Sequence, residues 1–265
     1  ACAVEGHTQT IPLTKKTFPD RYRKKGVELL NGRCGRGSGT PKRWRMDLSH
    51  IDTWLFDMDN TLYPASADLF RHIDERMGAF IAEELGVDRV EARRVQKQFF
   101  HAHGTTLRGL MDEHGVEPRR FLDFVHDIEM DALAEDPRVS EGIAALPGRK
   151  FVFTNGDVAY AERVLQRLGL AGLFEAIHDI HAMDYRPKPE PQVYAAMCEA
   201  LSIAPERSVF VEDMARNLVP AKALGMTTVW IDNGSESGGY QADMDAVDLV
   251  ITDLGEWLST LTKDV

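Results

Sequence analysis

Cysteine is scarce in this chain of 265 residues, which holds only Cys2, Cys34 and Cys198. They are widely spaced, without a CxxC pair or a Cys/His grouping, which excludes a disulfide scaffold and a zinc module. That usage fits a reducing, cytoplasmic setting. Long apolar runs are missing too. Stretches such as Phe151 to Phe153 and Val209 to Val211 fall far short of the ~20 residues a membrane-crossing helix requires, so no such helix is expected. What is present is an ordinary globular composition, 43% hydrophobic and 28% charged, enough to bury a sizeable core.

The net charge of −11 is unevenly spread. Residues 1–46 carry eleven Lys/Arg against three Asp/Glu, about +8, which leaves about −19 on the remainder. This first segment lacks hydrophobic periodicity and reads as a basic, disordered tail. It is a polybasic arm for nucleic acid, an Arg-rich targeting segment, or sequence ahead of a start at Met46, and the last reading is preferred. The acidic body argues against binding long nucleic acids.

From Asp47 onward, short runs rich in Val, Ile and Phe alternate with amphipathic stretches, the pattern of βα units. Strands are expected at Thr53–Asp57, Lys150–Thr154, Ala176–Ile180, Ser208–Glu212, Thr227–Ile231 and Asp248–Ile251. Helices are expected at Ala159–Leu168, Gln192–Leu201, Ala215–Leu224 and Leu254–Leu261. The fold class is α/β, a Rossmann-like, mostly parallel sheet. The gap between Asp57 and Lys150 is too long for one crossover. It carries helical periodicity at Asp68–Leu85, Val90–Phe100, Leu107–His114 and Phe121–Ala134, with breakers at Gly86, Gly104 and Gly115. The organisation expected is a core of residues 47–63 and 142–265 with a helical cap at 64–141.

Chemistry collects at the carboxyl ends of these strands, where open α/β sheets bind ligands. Strand one runs into Asp57-Met58-Asp59-Asn60-Thr61. Two carboxylates so close repel, and a hard cation with oxygen ligands, Mg²⁺ above all, relieves the conflict. A solvated turn is the plain alternative. Strand two ends in Thr154-Asn155-Gly156-Asp157, which is either a phosphate cradle or an ordinary turn and helix cap. Lys188 stands between Pro187 and Pro189, either a stiff mount for a cation or a Pro-rich helix start with an exposed lysine. Strand four ends in Glu212-Asp213, with Asn217 one helical turn on. His101 and His103 sit in the helical insertion, where a surface or core role is the plainer reading.

Taken in order, Asp57-x-Asp59-x-Thr61, Thr154, Lys188 and Glu212-Asp213-x-x-x-Asn217 resemble the four motifs of the haloacid dehalogenase superfamily, over residues 51 to about 260. The resemblance implies that Asp57 is the nucleophile that forms an aspartyl-phosphate, and that Asp59 is first general acid and then base. An aspartate at position 59 departs from the dehalogenase pattern. Mg²⁺ would be held by the Asp57 carboxylate, the Asp59 carbonyl and Asp213, with Glu212 a ligand or a support behind the ligands. Thr154, Lys188 and the Asn155 N–H would hold the phosphoryl oxygens, and Asn217 would orient the fourth motif.

The wording Phe56-Asp57-Met58-Asp59-Asn60-Thr61-Leu62-Tyr63-Pro64, together with Gly104-Thr105-Thr106-Leu107-Arg108-Gly109-Leu110, resembles the pyrimidine 5'-nucleotidase branch. It implies a cap that closes over the site and reads the leaving group, with UMP and CMP as substrates. Tyr63 and Arg108 are as readily packing and surface charge as contacts to a base. The alternatives on the same core are a sugar-phosphate or phosphoglycolate phosphatase, a phosphomutase, or a module that binds phosphate or protein without turnover.

Overall fold

Six parallel strands form one sheet in the order β3-β2-β1-β4-β5-β6. The computed structural model describes residues 46–235 and 238–261. Almost all of the basic N-terminal segment, with Cys2 and Cys34, lies outside the described residues. The strands are β1 Thr53–Phe56, β2 Arg149–Phe153, β3 Ala176–His178, β4 Ser208–Glu212, β5 Thr227–Ile231 and β6 Leu249–Ile251. All four residues of β1 and all five of β4 are buried, as central strands of a parallel sheet covered on both faces must be.

Register brings the functional strand ends level. Phe56 lies opposite Val152 on β2 and opposite Val211 on β4. Ladder bonding runs one residue further, from Asp57 N–H to the Val211 carbonyl at 2.9 Å and from Thr154 N–H to the His178 carbonyl at 3.1 Å. The chain leaves β1 with β2 on one side and β4 on the other, so the strand order reverses there and opens a crevice at the carboxyl edge.

Between β1 and β2 lie helices α1 Leu69–Leu85, α2 Arg89–His103, α3 Thr106–His114, α4 Pro118–His126 and α5 Pro137–Ala145. The first four pack on one another. Phe80 of α1 meets Phe121 and Phe124 of α4 edge-on, with centroids 5.1 and 5.5 Å apart. The later helices are α6 Val158–Arg167, α7 Pro191–Leu201, α8 Leu218–Ala223 and α9 Leu254–Leu261.

Two helices depart from the periodicity. Helix α4 starts at Pro118 because the Glu117 carboxylate accepts from the N–H groups of Arg119 and Arg120. It stops at His126 rather than Ala134, although apolar spacing continues. The carbonyls of His126 and Ile128 accept from Arg163 at 2.9 and 2.8 Å, and that of Met130 from Arg167 at 3.3 Å. These carbonyls are taken by side chains of α6, and those of His126 and Met130 also by the N–H groups of Ile128 and Leu133 in local turns rather than in a continued helix. Helix α5 is the other departure, unforeseen from periodicity and started by an Asp136 cap and Pro137. Its Gly142 crosses α9 so closely that a Cβ there would stand 2.6 Å from Leu258 Cβ.

Candidate active site

The turn after β1 folds back on the strand it leaves. Asn60 takes the left-handed conformation at φ 58°, and the Met58 carbonyl accepts from the N–H groups of Thr61 and Leu62. The Thr61 hydroxyl thereby reaches Asp57 Oδ2 at 3.1 Å. Asp57 Oδ1 accepts from Lys188 at 2.7 Å.

Lys188 is 1% exposed, and its ammonium spends all three N–H groups on protein. The other two go to Glu212 Oε2 and the Phe153 carbonyl, each at 2.8 Å. The rings of Phe153 and Phe210 stand 5.2 and 5.3 Å from Nζ. Burial works against the charge, but the carboxylates of Asp57 and Glu212 outweigh it and push the lysine pKa upward. Lys188 therefore offers a reacting group its fixed positive charge, with no N–H left over.

The loop that carries Lys188 is clamped by Asn155, whose amide oxygen accepts from Lys188 N–H at 2.9 Å and whose amide nitrogen donates to the Lys188 carbonyl at 3.4 Å. Thr154 is buried, and its hydroxyl oxygen accepts from Gly156 N–H at 3.0 Å, which leaves the hydroxyl proton for a ligand. Asp157 caps α6 through Tyr160 N–H.

At the end of β4, Glu212 Oε1 accepts from Met214 N–H at 3.0 Å, so both of its oxygens are engaged. Asp57, Glu212 and Asp213 are buried and each brings an oxygen to within 4.8 Å of the others. Burial, then the neighbouring Glu212, raises the Asp57 pKa to about 7, and burial with Glu212 and Asp57 raises that of Asp213 well above the usual carboxylate range. Lys188 is the one cation paired with this trio among the described residues. Negative charge is left over on oxygen donors alone, a set that suits a hard divalent cation.

Asn217 follows Asp213 by four residues, at the N-terminal boundary of α8. Its main-chain carbonyl accepts from Tyr194 at 2.7 Å, and its side-chain oxygen is buried without a partner among the described residues. Asp59 accepts at Oδ1 from the hydroxyls of Tyr63 and Tyr160, each at 2.7 Å. Sequence reasoning weighed Tyr63 evenly between packing and a contact to a base, without placing it in the site, and missed Tyr160. The second has no local signature, because α6 supplies it from 101 residues away. Arg108 pairs with Asp112 at 2.9 Å within α3, and His103 with Glu113 at 2.8 Å.

The helical insertion reaches the rim of this site through the turn between α2 and α3. A Cβ on Gly104 would lie 3.3 Å from Pro187, beside Lys188. The Gly104 carbonyl accepts from Arg216 at 3.1 Å, and that guanidinium lies against the rings of Phe100 and Tyr240.

A family model of haloacid dehalogenase-like hydrolases matches residues 51–225. Among curated proteins, the chain is 32% identical to the N-acetylmuramic acid 6-phosphate phosphatase of Pseudomonas aeruginosa, over 72% of this chain and 84% of that one. It is 27% identical to phosphate metabolism protein 8 of Saccharomyces cerevisiae, over 65% of this chain and 59% of the yeast protein. The match therefore spans less than two thirds of that relative's length. Among solved structures, a haloacid dehalogenase superfamily phosphatase from Thermococcus onnurineus superposes with a TM-score of 0.54 at 23% identity, over 80% of this chain and 98% of that one. With its six parallel strands and buried acidic trio at their carboxyl edge, the chain belongs to the haloacid dehalogenase-like hydrolases, among their phosphatases.

Proposed function

We propose that the chain is a Mg²⁺-dependent phosphomonoester hydrolase that works through an aspartyl-phosphate on Asp57. The observation that carries this reading is the Asp57 carboxylate, buried between Lys188, Thr61, Glu212 and Asp213 at the sheet's switch point. Asp57 attacks phosphorus, the P–O bond to the leaving group breaks, and Asp59 gives its proton to the departing oxygen. Asp59 then takes a proton from water as the water oxygen attacks phosphorus and the bond to Asp57 breaks. Lys188 places positive charge beside the nucleophile, and the Thr154 hydroxyl and Asn155 N–H are donors for the phosphoryl oxygens. Asp57, the Asp59 carbonyl and Asp213 would hold Mg²⁺, which when bound neutralises phosphoryl charge. Glu212, with both oxygens engaged, supports Lys188, and Asn217 supports the loop after β4.

The substrate is a small phosphorylated metabolite. Pyrimidine nucleoside monophosphates come first, on the wording from Phe56 to Pro64 and from Gly104 to Leu110. The relatives favour a second reading, a sugar phosphate or small phosphorylated acid: they include the N-acetylmuramic acid 6-phosphate phosphatase and a glyceraldehyde 3-phosphate phosphatase of Pyrococcus furiosus, 25% identical over 82% of this chain and 95% of that one. In both readings residues 64–141 act as a cap that chooses the leaving group.

The test is phosphate release from UMP, CMP, purine monophosphates and sugar phosphates, with Mg²⁺ and with chelator, against an Asp57→Asn blank. Mg²⁺-dependent turnover favouring UMP and CMP is expected. Turnover of sugar phosphates alone selects the second reading, and turnover that survives Asp57→Asn overturns the mechanism.

A further inference from the structure

The Asp59 carboxylate is held from two directions by parts of the chain that share no local connection. Tyr63 belongs to the turn after β1, and Tyr160 to the first turn of α6. Both hydroxyls donate to the same atom, Oδ1, at 2.7 Å. A phenol is protonated at neutral pH, so each hydroxyl remains a donor. Two donors use the two lone pairs of Oδ1. Oδ2 receives neither hydroxyl, and Asp59 retains partial exposure, whereas Asp57, Thr154, Lys188, Glu212 and Asp213 are buried.

Tyr160 is itself fixed. Its ring is 1% exposed and stacks on His126 at 4.1 Å between centroids and 10° between planes. His126 Nδ1 lies 2.5 Å from Asp157 Oδ2, while Asp157 Oδ1 accepts from Tyr160 N–H at 2.8 Å. The His126 carbonyl accepts from Arg163 of the same helix. His126 closes α4, so the C-terminal end of α4 in the helical insertion is the wall against which Tyr160 rests.

We propose that Tyr160, braced by His126 and Asp157 and opposed by Tyr63, is a positioning residue that aims Asp59 Oδ2 at the leaving-group oxygen. This rests on the reading of Asp59 as general acid. A carboxylate anchored by one hydrogen bond swings about it, whereas two donors on one oxygen fix the plane of the group. The acid must come within hydrogen-bond reach of the oxygen it protonates. A misplacement of about 1 Å costs on the order of a hundredfold in rate.

The test compares Tyr160→Phe, Tyr63→Phe and Asp59→Asn with the parent protein in single-turnover experiments with Mg²⁺ and enzyme in excess. One substrate is an alkyl phosphate such as UMP, whose leaving oxygen needs a proton. The other is p-nitrophenyl phosphate, whose phenolate departs without one. Tyr160→Phe keeps the ring on His126 and removes only the hydroxyl. It is expected to slow first-turnover release from the alkyl phosphate by about 10- to 100-fold, with half-saturation within about twofold, and to leave nitrophenolate release within about threefold. Tyr63→Phe should show the same selectivity. Equal loss on both substrates, or no loss on either, while Asp59→Asn is selective for the alkyl phosphate, overturns the clamp and leaves the acid assignment standing. If Asp59→Asn itself shows no selectivity, the acid assignment fails and the clamp fails with it.

Discussion

Lys188 Nζ stands 2.7 Å from Asp57 Oδ1, so the proposed nucleophile is already paired with a lysine from a loop 131 residues away. The same ammonium holds Glu212 and the β2 carbonyl of Phe153, which ties three neighbouring strand ends to one charge. Removing one partner of a buried pair leaves the other uncompensated, at a cost of about 3–5 kcal/mol. Lys188→Met is therefore expected to lower the unfolding free energy of the metal-free protein by about that amount, and to abolish phosphate release. A urea midpoint within error of the parent protein would overturn this account of Lys188.

Asp213 carries the opposite liability. Among the described residues no cation pairs with it, and burial with Glu212 and Asp57 beside it disfavours its charge. Asp213→Asn should raise the thermal midpoint of the chelator-treated protein, because it removes a buried like charge. It should also erase the increment that Mg²⁺ gives the parent protein, about 2.7 kcal/mol at a hundredfold excess over the dissociation constant. Differential scanning calorimetry with and without Mg²⁺ reads both effects. A variant that keeps the full Mg²⁺ increment would take Asp213 out of the metal site.

The strand ends were legible because a buried parallel strand must be a continuous apolar run, and the polar residue that ends it is exposed to view: Phe56 before Asp57, Phe153 before Thr154, Val211 before Glu212. The pairing of Lys188 with Asp57 was not, since proline spacing says that a lysine is held but not where it points. Tyr160 was out of reach for another reason. Its hydroxyl meets Asp59 through tertiary packing alone, and its position on α6 looks like any buried helix residue. Helix α4 was overextended because apolar spacing at Ile128 and Met130 persists where the arginines of α6 take the carbonyls. Helix α5 was missed although Asp136-Pro137 is a recognisable start, because its face is short.

Cys198 is buried, and burial pushes its thiol pKa up to about 11. The thiolate is the reactive form, and at pH 8 a thiol of that pKa is ionised to about one part in a thousand. The sign is upward: labelling of Cys198 by iodoacetamide should be negligible at pH 8, rise about tenfold per pH unit toward pH 11 while the fold persists, and become rapid at pH 8 in denaturant. Peptide mapping by mass spectrometry separates Cys198 from Cys2 and Cys34. Fast native labelling of Cys198 at pH 8 would contradict its burial.

Gly109 tests whether the helical insertion acts on substrate choice. A Cβ there would stand 2.4 Å from Phe99 Cγ, so α2 and α3 touch at this point only because position 109 has no side chain. Helix propensity favours alanine over glycine by about 1 kcal/mol, whereas forcing extra volume into a packed contact costs about 1–3 kcal/mol. The contact wins, and Gly109→Ala is expected to lower the thermal midpoint by a few degrees. The turn that joins these helices holds Gly104, which meets Pro187 and Arg216 at the rim of the site. Splaying α2 from α3 displaces that turn while Asp57, Lys188 and Glu212 stay in place on the sheet. KM for the metabolite substrate should rise severalfold, with kcat for p-nitrophenyl phosphate within about twofold, because only the larger leaving group meets the displaced turn. If both substrates lose kcat equally and KM is unmoved, the turn between α2 and α3 has no part in selecting the leaving group.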